Sequence, residues 1–284
     1  MKIELHRGPL SADVAWELSD FAAGFSHSLG QAGRFRVELG PDPSRFFRSL
    51  GDSVFVLARH EERLCGSLAL SLNPDVGSVY LGELKTAPGP QRGRILLALA
   101  AAAKSWMKEQ NVVPCHAFVM DGSASPADYT GRLGLPPLTR LLDANIDLVP
   151  ASFGHFSDGV DESPLPLLLR ASQTPLLLRC RSASARLLDT WAAKRLFDPE
   201  GKEIRRLHLG HLGFDAPEDA VTLIRHAAAR AAQVSARGLF LAMRPEARRL
   251  LPCDLLVSWP EAAKYAVFGH GHERWDQPLC SSEI

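Results

Sequence analysis

The apolar positions of the chain follow two periods, one helical and one of short β-rich runs. Leu10, Val14, Leu18, Phe21 and Phe25 recur at helical spacing, so residues 10–30 are expected to form an amphipathic helix. SRFFRSLG predicts a second, shorter helix. SVFVLARHEERLCGSLALSLN predicts two strands joined as a hairpin at His60-Glu61-Glu62. SVYLGELKTA is the next strand, broken by Pro88-Gly89-Pro90, and an alanine-rich helix follows from about Pro90 to Gln110. VVPCHAFVM then predicts a strand, ASPADYTGRLGL a polar helix ending near Gly134, and LTRLLDANIDLV a further strand.

From about Asp158 to Pro166 the chain is polar, as expected of a linker. Beyond it, LPLLLRASQTPLLLRCRSASARLLDTWAAKRLF predicts strands with short polar breaks, and IRRLHLGHLGF another strand. APEDAVTLIRHAAARAAQVSARG predicts a long helix with Gly238 as its stop, and LFLAM and KYAVFGHG are strands after it. The last segment, GHGHERWDQPLCSSEI, is polar enough to be expected as a partly ordered tail.

Two stretches share one organisation. YLGELKTAPGPQRGRILLALAAAAKSWMKEQNVVPCHAFVM and LHLGHLGFDAPEDAVTLIRHAAARAAQVSARGLFLAM each contain a strand with L-G-x-L, a proline-containing turn, an alanine-rich helix and an apolar strand. This predicts two copies of one unit, a first domain over residues 1–157 and a second over 165–284. The expected class is α/β (α+β), a mixed sheet flanked by helices in each half.

Composition narrows the function. The 284 residues are 46% hydrophobic and carry 32 basic and 32 acidic side chains. Zero formal net charge argues against a dedicated nucleic-acid binder. The five cysteines are scattered without C-x-x-C spacing, which predicts neither a disulfide framework nor a zinc site and suits a reducing compartment. The N-terminus is too polar for a signal peptide, and no apolar run approaches the ~18 residues of a membrane span. The expectation is a cytoplasmic protein without a membrane span.

The most pointed chemistry lies at Gln91-Arg92-Gly93-Arg94. A helix start presents unpaired N–H groups and the positive end of a dipole, and two arginines added there make an anion site suited to phosphate. In the second copy the matching turn carries Asp215, expected as N-cap, then Pro217, Glu218 and Asp219. Those carboxylates satisfy the helix start and would repel a phosphate. That half is expected to give support, a wall of a pocket, or a dimer contact.

With these motifs in order, residues 1–150 resemble the GNAT acyltransferase superfamily. Leu84-Lys85-Thr86 and Pro88 match the end of its central strand, Gln91 opens its pyrophosphate loop, and Ile95 and Leu99 match the apolar positions of the following helix. Tyr129-Thr130-Gly131-Arg132-Leu133-Gly134-Leu135 resembles its late Y-e-r-l-G-F segment. The loop departs from the usual Q/R-x-x-G-x-G/A, because the glycine positions fall on Arg94 and Leu96. The resemblance implies an acyl donor, acetyl-CoA or another acyl-CoA, held by Leu84, Thr86, Gln91, Arg92, Gly93, Arg94 and Ile95. It implies a small-molecule or peptide amine as acceptor and no metal. An acyl carrier protein as donor, a homodimer, and a scaffold that has lost the chemistry stay open. A long acyl chain would need an apolar tunnel, for which the Leu-rich 165–188 region is the expected lining.

Amine acylation needs a base for the amine and an acid for the leaving thiolate. In the family the base often stands on the strand before the loop, which points to Glu83, and the acid is often the late tyrosine, which points to Tyr129. Strict alternation turns Glu83 away from Tyr80, Gly82 and Leu84, toward an exposed position. Tyr129 stands one residue before the usual place, a rotation of ~100° on a helix. His116 is a third candidate, at the cleft where the central strands diverge. His208, His211, His270 and His272 invite a metal reading, but neither carboxylate nor cysteine spacing completes a site.

Overall fold

The computed structural model describes the whole chain except residues 31–32, 41, 74–76, 124–137, 165–175, 192, 260 and 284. The predicted hairpin is β4 (Asp52–His60) and β5 (Arg63–Asn73), turning on Glu61 and Glu62, both at positive φ. It is followed by β6 (Ser78–Thr86), α3 (Arg92–Glu109) and β7 (Cys115–Met120). The amphipathic segment forms α1 (Ala12–Ala23), and SRFFRSL forms α2 (Ser44–Leu50). β1 (Lys2–Arg7) and the pair β2 (His27–Ser28) and β3 (Arg34–Leu39) were not legible from periodicity.

The second half runs through β8 (Thr139–Pro150), β9 (Asp161–Pro164), β10 (Leu176–Cys180), β11 (Ala183–Leu188), β12 (Lys194–Phe197) and β13 (Leu207–Gly213). It ends with α4 (Pro217–Gln233), β14 (Gly238–Met243), α5 (Pro245–Leu250), α6 (Cys253–Ser258) and β15 (Glu261–His270). Gly238 is not the stop of α4. That helix ends at Gln233, Ser235 takes the left-handed turn at φ +57, and Gly238 opens β14. Gly238 is needed because a Cβ there would lie 1.9 Å from the Val149 carbonyl oxygen.

The mixed sheets expected of the two halves join into one sheet of 12 strands, ordered β1-β4-β5-β6-β7-β15-β8-β14-β13-β11-β10-β9. Read inward from either edge, the two sides match. Each contains one parallel β-α-β unit, β6-α3-β7 and β13-α4-β14. The innermost strands are exchanged: β8 pairs with β14, β15 pairs with β7, and the two pair with each other. β14 is buried at all six positions, as a continuous apolar run predicts for a strand covered on both faces. The halves are also stitched away from the main sheet, where β12 pairs with β3.

Three apolar clusters hold the sheet. α3 covers β4, β5 and β6 through Ile95, Leu99, Ala103 and Trp106. α4 covers the second half through Leu223, Ile224, Ala227 and Ala231. The opposite face of the first half is filled by α1, α2, β3 and, unexpectedly, the C-terminal tail. Trp275 and Leu279 are buried there, and Cys280, Ser281 and Ser282 are buried against the second half. The tail's polar composition conceals a few large apolar groups that each find a pocket.

His116 and His208 are buried without a counter-charge among the described residues. Burial holds His116 and His208 near pKa 3, so both are neutral in the folded protein. In the unfolded chain they take up protons near pH 6.5. The depressed folded value means their contribution is present above about pH 6.5 and is lost as pH falls toward the folded value, by up to roughly 1.4 kcal/mol per pH unit for each. Denaturant midpoints are expected to fall between pH 7.5 and pH 5, and His116→Phe is expected to flatten that slope. An unchanged slope in the variant would remove His116 from this account.

Candidate active site

β6 and β7 pair only at Val79–Cys115 and Tyr80–His116, and then part. At the parting lies a cavity of about 660 Å³. Its wall draws on both sides of the sheet: Leu96, Ala100 and Met107 from α3, and Phe35, Phe46, Phe47 and Tyr80 from the other face. The cavity therefore passes through the sheet.

On α3 the lining runs from Leu96 to Lys108, and the helix start lies beside the cavity lining rather than in it. The N-cap is Gln91, and no side chain among the described residues caps the helix. The Arg92 N–H bonds to the Gly89 carbonyl at 3.2 Å, and the Ile95 N–H bonds to Gln91 at 3.0 Å. Gly93 and Arg94 occupy the first-turn positions that a helix leaves without internal acceptors. A Cβ at Gly93 would meet nothing within 4 Å, so the approach is open. Arg92 Nε donates to Thr86 Oγ1 at 3.2 Å, and Gln91 Nε2 lies 3.2 Å from His60 Nε2. Leu84 is half exposed and lines the cavity. Ile95 differs from the others: its side chain is in the core and its N–H is already used.

The second copy lacks this opening. The N-cap of α4 is Ala216, not Asp215, and Asp219 accepts from Ser182 N–H at 3.1 Å and Ser182 Oγ at 2.8 Å. Ser182 Oγ also accepts from the Ala216 N–H at 3.1 Å. The β10–β11 turn is thus seated across the helix start. The other face is filled as well, since a Cβ at Gly210 would lie 2.5 Å from Cys280 Sγ.

Alternation predicted an exposed Glu83, and a β-bulge overturns it. Ala69 pairs with Gly82 and Ser67 with Lys85, so two residues of β6 oppose one of β5, and Glu83 takes φ +51. The bulge resets the parity. Leu84 stays half exposed at the cavity's rim, while Glu83 and Lys85 face the cavity with side chains only 9% and 4% exposed. The second copy repeats the bulge, with His211 at φ +56 in Leu209-Gly210-His211-Leu212.

Glu83 and Lys85 form a short ion pair. Burial alone would raise the Glu83 carboxyl, but the Lys85 ammonium, aided by Lys194, outweighs it and holds the group below the ordinary carboxylate value. Glu83 is therefore an anion near neutral pH, able to accept a hydrogen bond or a proton from an amine. His27 stands near the pair; burial and then the charge of Lys85 push it down to about 4. Lys194 enters the same cavity from β12, in the second half. Lys85, Lys194 and His27 escaped sequence reasoning, because only the β12–β3 pairing and the bulge bring them together.

His116 is not among the cavity-lining residues. It is buried behind the parting, with Nδ1 2.9 Å from Ser78 Oγ and its ring 4.6 Å from that of Trp275. Tyr129 and its motif lie outside the described residues, as do residues 165–175 of the expected tunnel lining. Leu176–Leu188 does not line the cavity; it forms β10 and β11 in the core of the other half. Among the described residues, no three His, Cys, Asp or Glu side chains are grouped to hold a metal.

A similar fold occurs in solved structures. The chain aligns over 94% of its length with 98% of a tandem GNAT protein from the clavulanic acid biosynthesis pathway, at 15% identity and TM-score 0.52. The chain has a tandem GNAT fold. A GCN5-related N-acetyltransferase from Sphaerobacter thermophilus aligns over 94% of this chain and 95% of its own, at 13% identity and TM-score 0.53. Saccharomyces cerevisiae N-myristoyltransferase with bound myristoyl-CoA and inhibitors aligns over 95% and 80%, at 8% identity and TM-score 0.62. No family model and no curated protein matches the sequence. Within this GNAT fold, the first half keeps an open helix start and a cavity, and the second has both filled. No helix among the described residues is long and apolar enough to cross a membrane.

Proposed function

We propose that the protein is an acyltransferase that moves an acetyl or other acyl group from a CoA thioester to an amine. The observation that carries this reading is the cavity running through the sheet where β6 and β7 part, lined on one side by α3, the helix whose first turn bears Arg92 and Arg94. In this reading residues 1–157 hold the donor, and residues 165–284 act as a supporting copy that lends Lys194. The Gly93 and Arg94 N–H groups and the two guanidinium groups receive phosphate. The thioester reaches the gap between the strands, and the amine approaches from the Tyr80 face.

The amine nitrogen attacks the thioester carbonyl carbon. A C–N bond forms, the C–S bond breaks, and the amine proton passes to Glu83, directly or through water, while the thiolate is protonated. Tyr129 is the proposed acid on the strength of the family motif. A metal has no place in the scheme.

Calorimetry with CoA and acetyl-CoA tests the donor site. Wild-type protein is expected to bind, and Arg92→Ala/Arg94→Ala to bind at least about tenfold more weakly, the loss of one or two charge-assisted hydrogen bonds on an exposed loop. No binding by the wild type would overturn the CoA reading.

A further inference from the structure

The two faces of the cavity differ in chemistry. The Tyr80 face carries the Glu83–Lys85 ion pair and His27 beside it. On the α3 face, Leu96, Ala100, Ala103 and Met107 line the cavity from the helix, and Leu68 and Leu81 line it from the sheet. The four helix residues recur at steps of four, three and four, so they form one stripe along α3. At 1.5 Å per residue the stripe is roughly 16 Å long. Lys104 and Lys108 stand on the same side but are exposed, at the rim. Cys115 is buried there, and burial pushes its thiol up to about 11, so it is neutral.

We propose that the donor's acyl group is an alkyl chain of about 8–12 carbons, lying along the α3 stripe. This deepens the proposed acyl transfer and rests on it. An acetyl group leaves most of the 660 Å³ cavity without a use. A pantetheine arm carries two amides, and amides buried against these apolar side chains would lose hydrogen bonds. Methylene groups lose nothing there and gain by leaving water. An extended chain advances about 1.2 Å per bond, so the stripe matches roughly a dozen bonds. The donor is the occupant because of where it is held. Its phosphates are received at the first turn of α3, and the stripe begins on the same helix at Leu96. The amine approaches from the opposite, charged face. The chain is thus lined by α3 and not by Leu176–Leu188.

The test uses the full chain. Acetyl-, butyryl-, hexanoyl-, octanoyl-, decanoyl-, dodecanoyl- and hexadecanoyl-CoA are titrated calorimetrically below their micelle concentrations, beside S-acyl-pantetheines of the same lengths. Affinity is expected to climb by up to about fourfold per methylene and to exceed that of the acetyl form by about 100-fold or more. It is expected to stop rising near dodecanoyl, where a chamber of fixed length is full. Ala100→Phe and Ala103→Phe each place a ring across the stripe and are expected to move that plateau to shorter chains. The wild-type series decides the matter should neither variant fold. No gain beyond acetyl, a rise without a plateau, or a plateau that the folded variants leave in place would each overturn the proposal. The two readings fail separately. CoA binding without a chain-length gain keeps the donor and removes this inference. A chain-length gain in the pantetheine series without CoA binding keeps the chamber and removes CoA as the donor.

Discussion

Glu83→Gln is expected to lower the rate of acyl transfer by about 100-fold or more while leaving CoA affinity within about twofold. The change keeps the shape of the side chain and removes only its charge and basicity. The donor site is built from the first turn of α3 and is untouched. The bulge places the carboxylate inside the cavity, where an acceptor amine must lose a proton. One consequence complicates the single variant: Lys85 is 4% exposed and loses its anion, so stability is expected to drop as well. Glu83→Gln/Lys85→Met separates the effects. It is expected to recover most of the stability and none of the rate. Single-turnover rates with CoA titrations, set beside denaturation curves, provide the measurement. Full activity in a folded Glu83→Gln protein would remove Glu83 as the base and leave it a structural partner of Lys85.

Trp275→Ala is expected to cost about 3–5 kcal/mol, the usual loss when a buried tryptophan is truncated. Trp275 is 4% exposed, and its ring meets His116 at 4.6 Å, His272 at 5.7 Å and Phe118 at 5.9 Å. Its carbonyl accepts from Arg244 Nη2 at 2.7 Å. Its indole Nε1 is buried without a hydrogen-bond partner among the described residues, so packing holds the ring. Trp275→Phe therefore keeps the aromatic contacts, removes an unsatisfied donor, and is expected to retain more than half of the lost stability. Urea denaturation of the three proteins checks this. A cost below about 1 kcal/mol for the alanine variant would show that the tail is not part of the core.

The tail also reaches the active site. Ser282 anchors Lys194 through its carbonyl, and Ser281 Oγ lies 2.9 Å from His208 Nδ1.

The sequence by itself determined the two β-α-β units and their relation. The L-G-x-L strands, the alanine-rich helices and the apolar strands after them carry local hydrophobic periods, and a local period is legible without a partner. The arginines of the first helix start and the carboxylates of the second were equally legible, because helix-end chemistry depends on the nearest few residues. Tertiary structure decided the rest. Which edge β8 and β15 would join depends on which non-local neighbour covers them, and two similar halves offer two similar edges. Glu83 faces inward only because a non-glycine residue accepts φ +51 at a bulge, which breaks the alternation that parity arguments need. Lys194 is 111 residues from Glu83 in sequence and lines the same cavity only because β12 pairs with β3. The tail hid Trp275 and Leu279 among polar neighbours, and isolated large side chains give no periodic signal until a pocket receives them.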